Sequence, residues 1–202
     1  MNDLFVISAA SGVGKTSLVD ALLKSVPGLT VSVSHTTRAP RPGEVDGVNY
    51  HFVAPSHFAT LLEQQAFIEH ARVFGNLYGV SREEVTRRLS SGNDVVLVID
   101  WQGAQRVRTI FPNAVTVFIL PPSREALRER LQGRGQDHAE IIESRLTEAC
   151  REMSHWNEFD YTVVNDDFAT ALADLTAIVR ARRLLRTHCA VRLAPLINTL
   201  LA

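Results

Sequence analysis

Residues Ala9–Thr16 read AASGVGKT and follow directly on the apolar run LFVIS, Leu4–Ser8. A buried strand that turns through a glycine-rich loop into a helix leaves few folds open, because that turn belongs to an α/β sheet and builds an anion cradle. Gly12 and Gly14 let the backbone curl so that successive N–H groups point inward at phosphate oxygens. Lys15 is placed to reach the β- and γ-phosphates of a nucleotide, and the Thr16 hydroxyl to ligate magnesium. The helix that follows, Gly14 to Lys24, adds its positive N-terminal dipole. Lys15 is one of only two lysines (the other is Lys24) against 19 arginines, so a lysine here is not a by-product of composition. The full pattern has glycine where Ala9 stands, and alanine fits if its φ stays negative. Ala9, Ala10, Ser11, Gly12, Val13, Gly14, Lys15 and Thr16 are therefore read as a nucleoside-triphosphate site.

The 202 residues, 46% hydrophobic and 21% charged, fit one soluble globular domain with a full core. A net charge of -1 provides no broad electrostatic footprint for nucleic acid. Cys150 and Cys189 have no metal or redox spacing, and the seven histidines, His35, His70 and His138 among them, show no paired metal motif. The chain opens at once on a core strand, without a signal-peptide pattern, and no apolar run approaches the ~18 residues of a membrane span, so a cytoplasmic location is expected.

Four continuous apolar runs read as buried parallel strands: Leu4–Ser8, Val95–Asp100, Ala114–Leu120 and Tyr161–Val164. Helical stretches alternate with them at Lys15–Ser25, Gln102–Phe111, Arg124–Gln132, Ala139–Trp156 and Phe168–Leu185, which predicts a three-layer α/β fold with a central parallel sheet. Two segments break the rhythm. From about Thr30 to Gly92 the chain is strand-like, rich in Pro and Gly, with a short helix at Ser56–Gln65 and a hairpin in FIEHARVFGNLYGV, and it reads as an inserted, mostly-β subdomain. GRGQDHAE, Gly133–Glu140, is polar, lies between two helices and suits a small mobile lid. LAPLINTLLA, at the end of the chain, reads as a short apolar helix that packs on the core or on another copy, so a homo-oligomer stays open.

The insertion carries the next chemical cluster. Ser34, Arg38 and Arg41 fall within eight residues, and Tyr50 and Tyr78 follow. Two guanidinium forks on a loop stiffened by Pro40 present planar donors to a phosphate, and tyrosine hydroxyls donate to the same oxygens. A second phosphate site beside a triphosphate loop implies phosphoryl transfer between two bound substrates. Glu69, in FIEHA, lies among apolar residues. It reads either as an edge-strand carboxylate facing water or as a selector of guanine, whose N1–H and 2-amino group are adjacent donors. Asp100 closes the run VVLVID at the ligand edge of the sheet, placed to hold magnesium through water or to cap the next helix. Arg130, Arg134 and Arg145 lie in and around the lid, where cations stabilise the charge that phosphoryl transfer spreads over oxygen.

The stretches SAASGVGKTSL, SVSHTTRAPRPGEVDGVNYHFV, FIEHARVFGNLYG, IDWQGAQ, FILPPS, GRGQD and VNDDF, in order across residues 4–185, resemble the bacterial type of guanylate kinase, a nucleoside monophosphate kinase family. The resemblance implies an ATP:GMP phosphotransferase with magnesium, on a P-loop kinase fold. It implies a core of residues 1–31, 93–123 and 147–185, a GMP-binding subdomain at 32–92, a lid at 124–146 and a helical tail at 186–202. Ser34, Arg38, Arg41, Tyr50, Glu69, Tyr78 and Asp100 would then bind GMP. The loop with Arg130, Arg134 and Asn165 would bind ATP, and Lys15, Arg38, Arg41, Arg134 and Arg145 would serve the transfer. Its implied partners are ATP and GMP, with neither nucleic acid nor membrane. Two residues depart from the family pattern. Val80 stands where a Ser or Thr usually helps hold guanine, and Val98 where an acid commonly precedes the strand-end aspartate by two. Each missing hydrogen bond is expected to cost about 1 kcal/mol in affinity without changing the reaction. A ribose 1,5-bisphosphate kinase on the same scaffold and a non-catalytic binding module are the alternatives. The first has no use for Glu69, and the second no use for Lys15, Thr16 and Arg134.

Overall fold

The computed structural model describes residues 2–73, 75–133 and 139–202. In chain order the elements are β1 (Leu4–Ala9), α1 (Lys15–Ser25), β2 (Leu29–Val31), β3 (His35–Thr36), β4 (His51–Phe52), α2 (Pro55–Glu63), β5 (Phe67–Val73), β6 (Asn76–Ser81), α3 (Arg82–Ser90), β7 (Asp94–Val98), α4 (Trp101–Ile110), β8 (Val115–Leu120), α5 (Arg124–Gln132), α6 (Ala139–Met153), β9 (Tyr161–Val164), α7 (Phe168–Leu184) and α8 (Arg186–Leu201). A 3-10 turn at Trp156–Glu158 precedes β9, so α6 stops three residues short of the expected Trp156.

The main sheet is five-stranded and parallel, in the order β2-β7-β1-β8-β9. Its fifth strand, β2, is only three residues long and sits at an edge, which is why no apolar run announced it. β1 is buried at all six positions because both faces of the sheet are covered. Phe5 and Ile7 face a core formed with α1, α5, α6 and α7, where Leu18, Leu22, Leu127, Leu131, Leu146 and Leu175 are buried. Leu4 and Val6 face the other way, toward Val85 of α3 and Ala104 and Val107 of α4. Period-two alternation along one strand thus builds the three layers.

The second sheet has four strands in the order β4-β3-β6-β5. FIEHARVFGNLYGV forms the expected hairpin, β5 antiparallel to β6, with a register shift between Phe67 and Glu69. Ile68 and Val80 bury against the α3/α4 side of the main core, which fixes this sheet beside the carboxyl ends of the main strands.

Several helices start on side-chain caps: Ser81 accepts from the Glu84 N–H, Ser123 from Ala126 and Asp167 from Thr170. Helix α1 differs, since its first residue is preceded by Gly14, which has no side chain to cap with. Its N-terminal donors are left for something else. The tail is a full helix, α8, rather than the short one expected, and it continues through Pro195. It is tied down at its start, where His188 Nδ1 lies 2.9 Å from the buried Asp3 carboxylate and Cys189 is buried. No helix among the described residues is long and apolar enough to cross a membrane.

Leu146, fully buried between α6 and the sheet, anchors that helix to the core. Leu146→Ala is expected to lower unfolding stability by about 2–5 kcal/mol, read as a reduced urea midpoint at unchanged slope.

Candidate active site

The loop at the end of β1 is shaped from both sides. Gly12 and Gly14 sit at φ 91° and 98°, backbone geometry that favours glycine. Ala9 is still strand, paired with Ile119 of β8, so extended backbone serves and glycine is not needed there. Behind the loop, the Val13 carbonyl accepts from Asn165 Nδ2 at 2.7 Å and from Arg130 Nη1 at 3.2 Å. Arg130 Nη2 also donates to the Asn165 carbonyl at 2.9 Å. These two residues therefore brace the loop from its outer side. Lys15 is partly buried and donates weakly to the Ile99 carbonyl at 3.4 Å. Burial pulls its ammonium below the ordinary lysine range, and the carboxylates of Glu152 and Asp100 work against that shift.

A cavity of about 300 Å³ opens in front of the loop. Lys15, Thr16, Val98 and Asp100 line it, together with Ser34, Arg41, Tyr50, Glu69 and Tyr78. One space thus joins residues from the main sheet and from the insertion. Asp100 lies two residues beyond the end of β7 and caps α4, its Oδ1 accepting the Gly103 N–H at 2.7 Å. Glu69 is 4% exposed and its Oε2 has no hydrogen-bond partner among the described residues. Arg106 approaches that oxygen only to 3.7 Å, its own Nη1 being committed to the His70 carbonyl. Glu69 packs so tightly on α4 that a Cβ at Gly103 would meet Oε2 at 2.9 Å. Burial first, then the nearby Asp100, raises its pKa to about 7, with Arg106 opposing. The water-facing alternative for Glu69 is therefore overturned. The bulge between Phe67 and Glu69 breaks the alternation, so that Phe67, Ile68 and Glu69 are buried in succession.

Arg38 is not among the cavity-lining residues. Its guanidinium forms a two-pronged pair with Glu44, at 2.9 and 2.8 Å, and lies 5.4 Å from the centre of the Tyr50 ring. Arg38 holds the Glu44 carboxyl below the usual carboxylate range. Arg145 is on α6 and does not line the cavity either. Arg134, with the rest of residues 134–138, lies outside the described residues. Val80 is buried in apolar surroundings, where a hydroxyl would need a partner, and Val98 packs against the main core. Among the described residues no three His, Cys, Asp or Glu side chains gather into a metal-holding group.

Comparison with known proteins decides which family builds such a site. The guanylate kinase family model matches residues 1–182. The chain belongs to the guanylate kinase family. A curated guanylate kinase from Shewanella sp. (strain MR-7) is 60% identical over 183 residues, covering 90% of this chain and 88% of that one. Another, from Pseudomonas syringae pv. tomato, is 55% identical over 207 residues, covering 98% and 97%. The crystal structure of guanylate kinase from Anaplasma phagocytophilum superposes with a TM-score of 0.76 at 34% identity, covering 91% of this chain and 87% of that one. The parallel sheet with helices on both faces and a second mixed sheet is the P-loop kinase fold of that family.

Two carboxylates of this guanylate kinase site were missed in the sequence. Glu44 has an arginine at the i−6 position, a spacing without a helical or strand signature. Glu152 accepts the Ser11 N–H at 3.1 Å from a helix 141 residues away, and no local pattern announces a contact of that range. The raised Glu69 pKa has a stability consequence. The native state holds this proton more tightly than the unfolded chain, so stability falls as pH rises from about 4.5 to about 7, then levels off. Ligand-free Glu69→Gln should match the wild type in stability near pH 4.5. It should exceed it above pH 7 by a few kcal/mol (about 1.4 per pKa unit), as measured by denaturant unfolding at both pH values.

Proposed function

We propose that the chain transfers the γ-phosphoryl group of ATP directly to GMP, and to dGMP, giving ADP and GDP. The observation that carries this reading is Glu69, a buried carboxylate with an unsatisfied oxygen in the cavity that also holds Lys15. Guanine offers two adjacent donors, N1–H and the 2-amino group, to such a carboxylate, and adenine does not. An unpartnered buried acceptor is costly, so binding a base that supplies the missing donors is favourable twice over.

The remaining residues take roles around that pair. Lys15 and the Gly12–Thr16 amides hold the donor phosphates, with the uncapped start of α1 behind them. Ser34, Arg41, Tyr50 and Tyr78 hold the GMP phosphate, and Arg38 turns toward it by exchanging Glu44 for the incoming anion. The core, 1–31, 93–123 and 147–185, carries the donor; the 32–92 subdomain carries the acceptor. Arg134 and Arg145 of the 124–146 lid neutralise the transferring group as the parts close and exclude water, and Arg130 serves ATP binding by holding the loop. The acceptor is already an anionic phosphate, so no general base is needed, and alignment with charge stabilisation supplies the rate. Thr16 and Asp100 are hard oxygen donors that line the same cavity as Lys15. That set fits magnesium, which keeps several waters and substrate phosphates as its other ligands. When bound, the ion supplies charge neutralisation between the β- and γ-phosphates. The cytoplasm is the proposed place of action.

Initial rates of ADP release with magnesium and ATP should rise on adding GMP or dGMP and stay at background with AMP and ribose 1,5-bisphosphate. A response to ribose 1,5-bisphosphate alone would replace this reading. Lys15→Met should lose at least about 100-fold in turnover, and near-native rates in that variant would refute the assigned donor site.

A further inference from the structure

The phosphate loop already has an anion against it. Glu152 Oε2 accepts the N–H of Ser11, the third residue of the loop, at 3.1 Å. The same carboxylate lines the cavity beside Lys15 and Asp100. It does not drift there from a mobile surface, because α6 is anchored by Leu146 and Ala149, both fully buried in the main core. Burial pushes the Glu152 carboxyl up, and the Ser11 N–H and Lys15 pull it back toward its charged form.

A loop of inward N–H groups binds phosphate because it offers donors to oxygen anions, and a carboxylate on one of those donors is a chemical stand-in for phosphate. Donor phosphates that arrive at Lys15 bring several negative charges into a space that already contains Glu152. The two anions repel, and they compete for the Ser11 N–H. We propose that Glu152 is a positioning residue: it competes with donor phosphates for the Ser11 N–H and releases that N–H when they load. Loading of the loop is thereby registered at the C-terminal turn of α6, whose helix also carries Arg145 two turns earlier. This role rests on reading Ala9–Thr16 as the donor-phosphate loop.

The test uses the full chain without GMP and inorganic pyrophosphate as the probe, which needs only the phosphate loop. In both Glu152→Gln and Glu152→Ala, pyrophosphate should bind about tenfold more tightly than in the wild type by calorimetry. The rise in Tm on saturation should be correspondingly larger in the variants. In turnover, KM for ATP should fall in both variants, since the Glu152–Ser11 hydrogen bond gives way when the nucleotide binds. A merely structural brace would give the opposite sign. Unchanged or weakened pyrophosphate binding in both variants, with binding retained in the wild type, would overturn the role of Glu152 and leave the donor loop standing. Failure of the wild type itself to bind pyrophosphate would overturn both.

Discussion

An ammonium in the cavity wall beside an uncapped helix start is the feature on which the rest of the structure depends. Lys15 lines the cavity, donates weakly to the Ile99 carbonyl and has the Glu152 and Asp100 carboxylates nearby, and α1 begins without a side-chain cap. A cation and uncapped N–H donors on one cavity wall favour an anionic ligand. The core is arranged to impose this state. β1 leads the chain into the loop between its two neighbours β7 and β8, the crevice where open parallel sheets bind ligands. Arg130 and Asn165 then hold the Val13 carbonyl from behind, so the loop cannot relax outward.

The insertion imposes a complementary deficit. Glu69 is buried with an oxygen unsatisfied, pressed against α4 at Gly103. The loop contributes N–H donors and an ammonium to the cavity, and Glu69 contributes an unsatisfied acceptor. On the proposed reading, a nucleoside triphosphate would meet the first and a guanine nucleotide the second. Such local penalties are tolerable because the two apolar clusters on either face of the main sheet stabilise the scaffold independently of them.

The loop and four of the five parallel strands were legible because their signals are local: glycines where φ must be positive, and continuous apolar runs where a sheet is covered on both faces. The three-residue β2 gave no such run. The burial of Glu69 was undecided in the sequence because a bulge, which periodicity does not encode, interrupts the alternation of β5. Asp100 showed its two readings together, and the structure displays the helix-capping one in the hydrogen bond from Gly103. Arg38 illustrates another limit: its residue type and loop pointed to phosphate, yet the fork is satisfied by Glu44. Sequence registers what a side chain is able to bind. It does not register which internal partner holds it in the absence of ligand, and Glu152, reaching the loop from α6, was invisible for the same reason.

The central claim is that Lys15 and Glu69 serve one continuous site with a donor end and an acceptor end. Titration of the protein with adenosine and guanosine joined through five phosphates addresses it most directly. One molecule should bind per chain, exclude both ATP and GMP, and lose affinity in Lys15→Met and in Glu69→Gln alike. Displacement by only one of the two nucleotides, or sensitivity to only one of the two substitutions, would contradict a shared cavity.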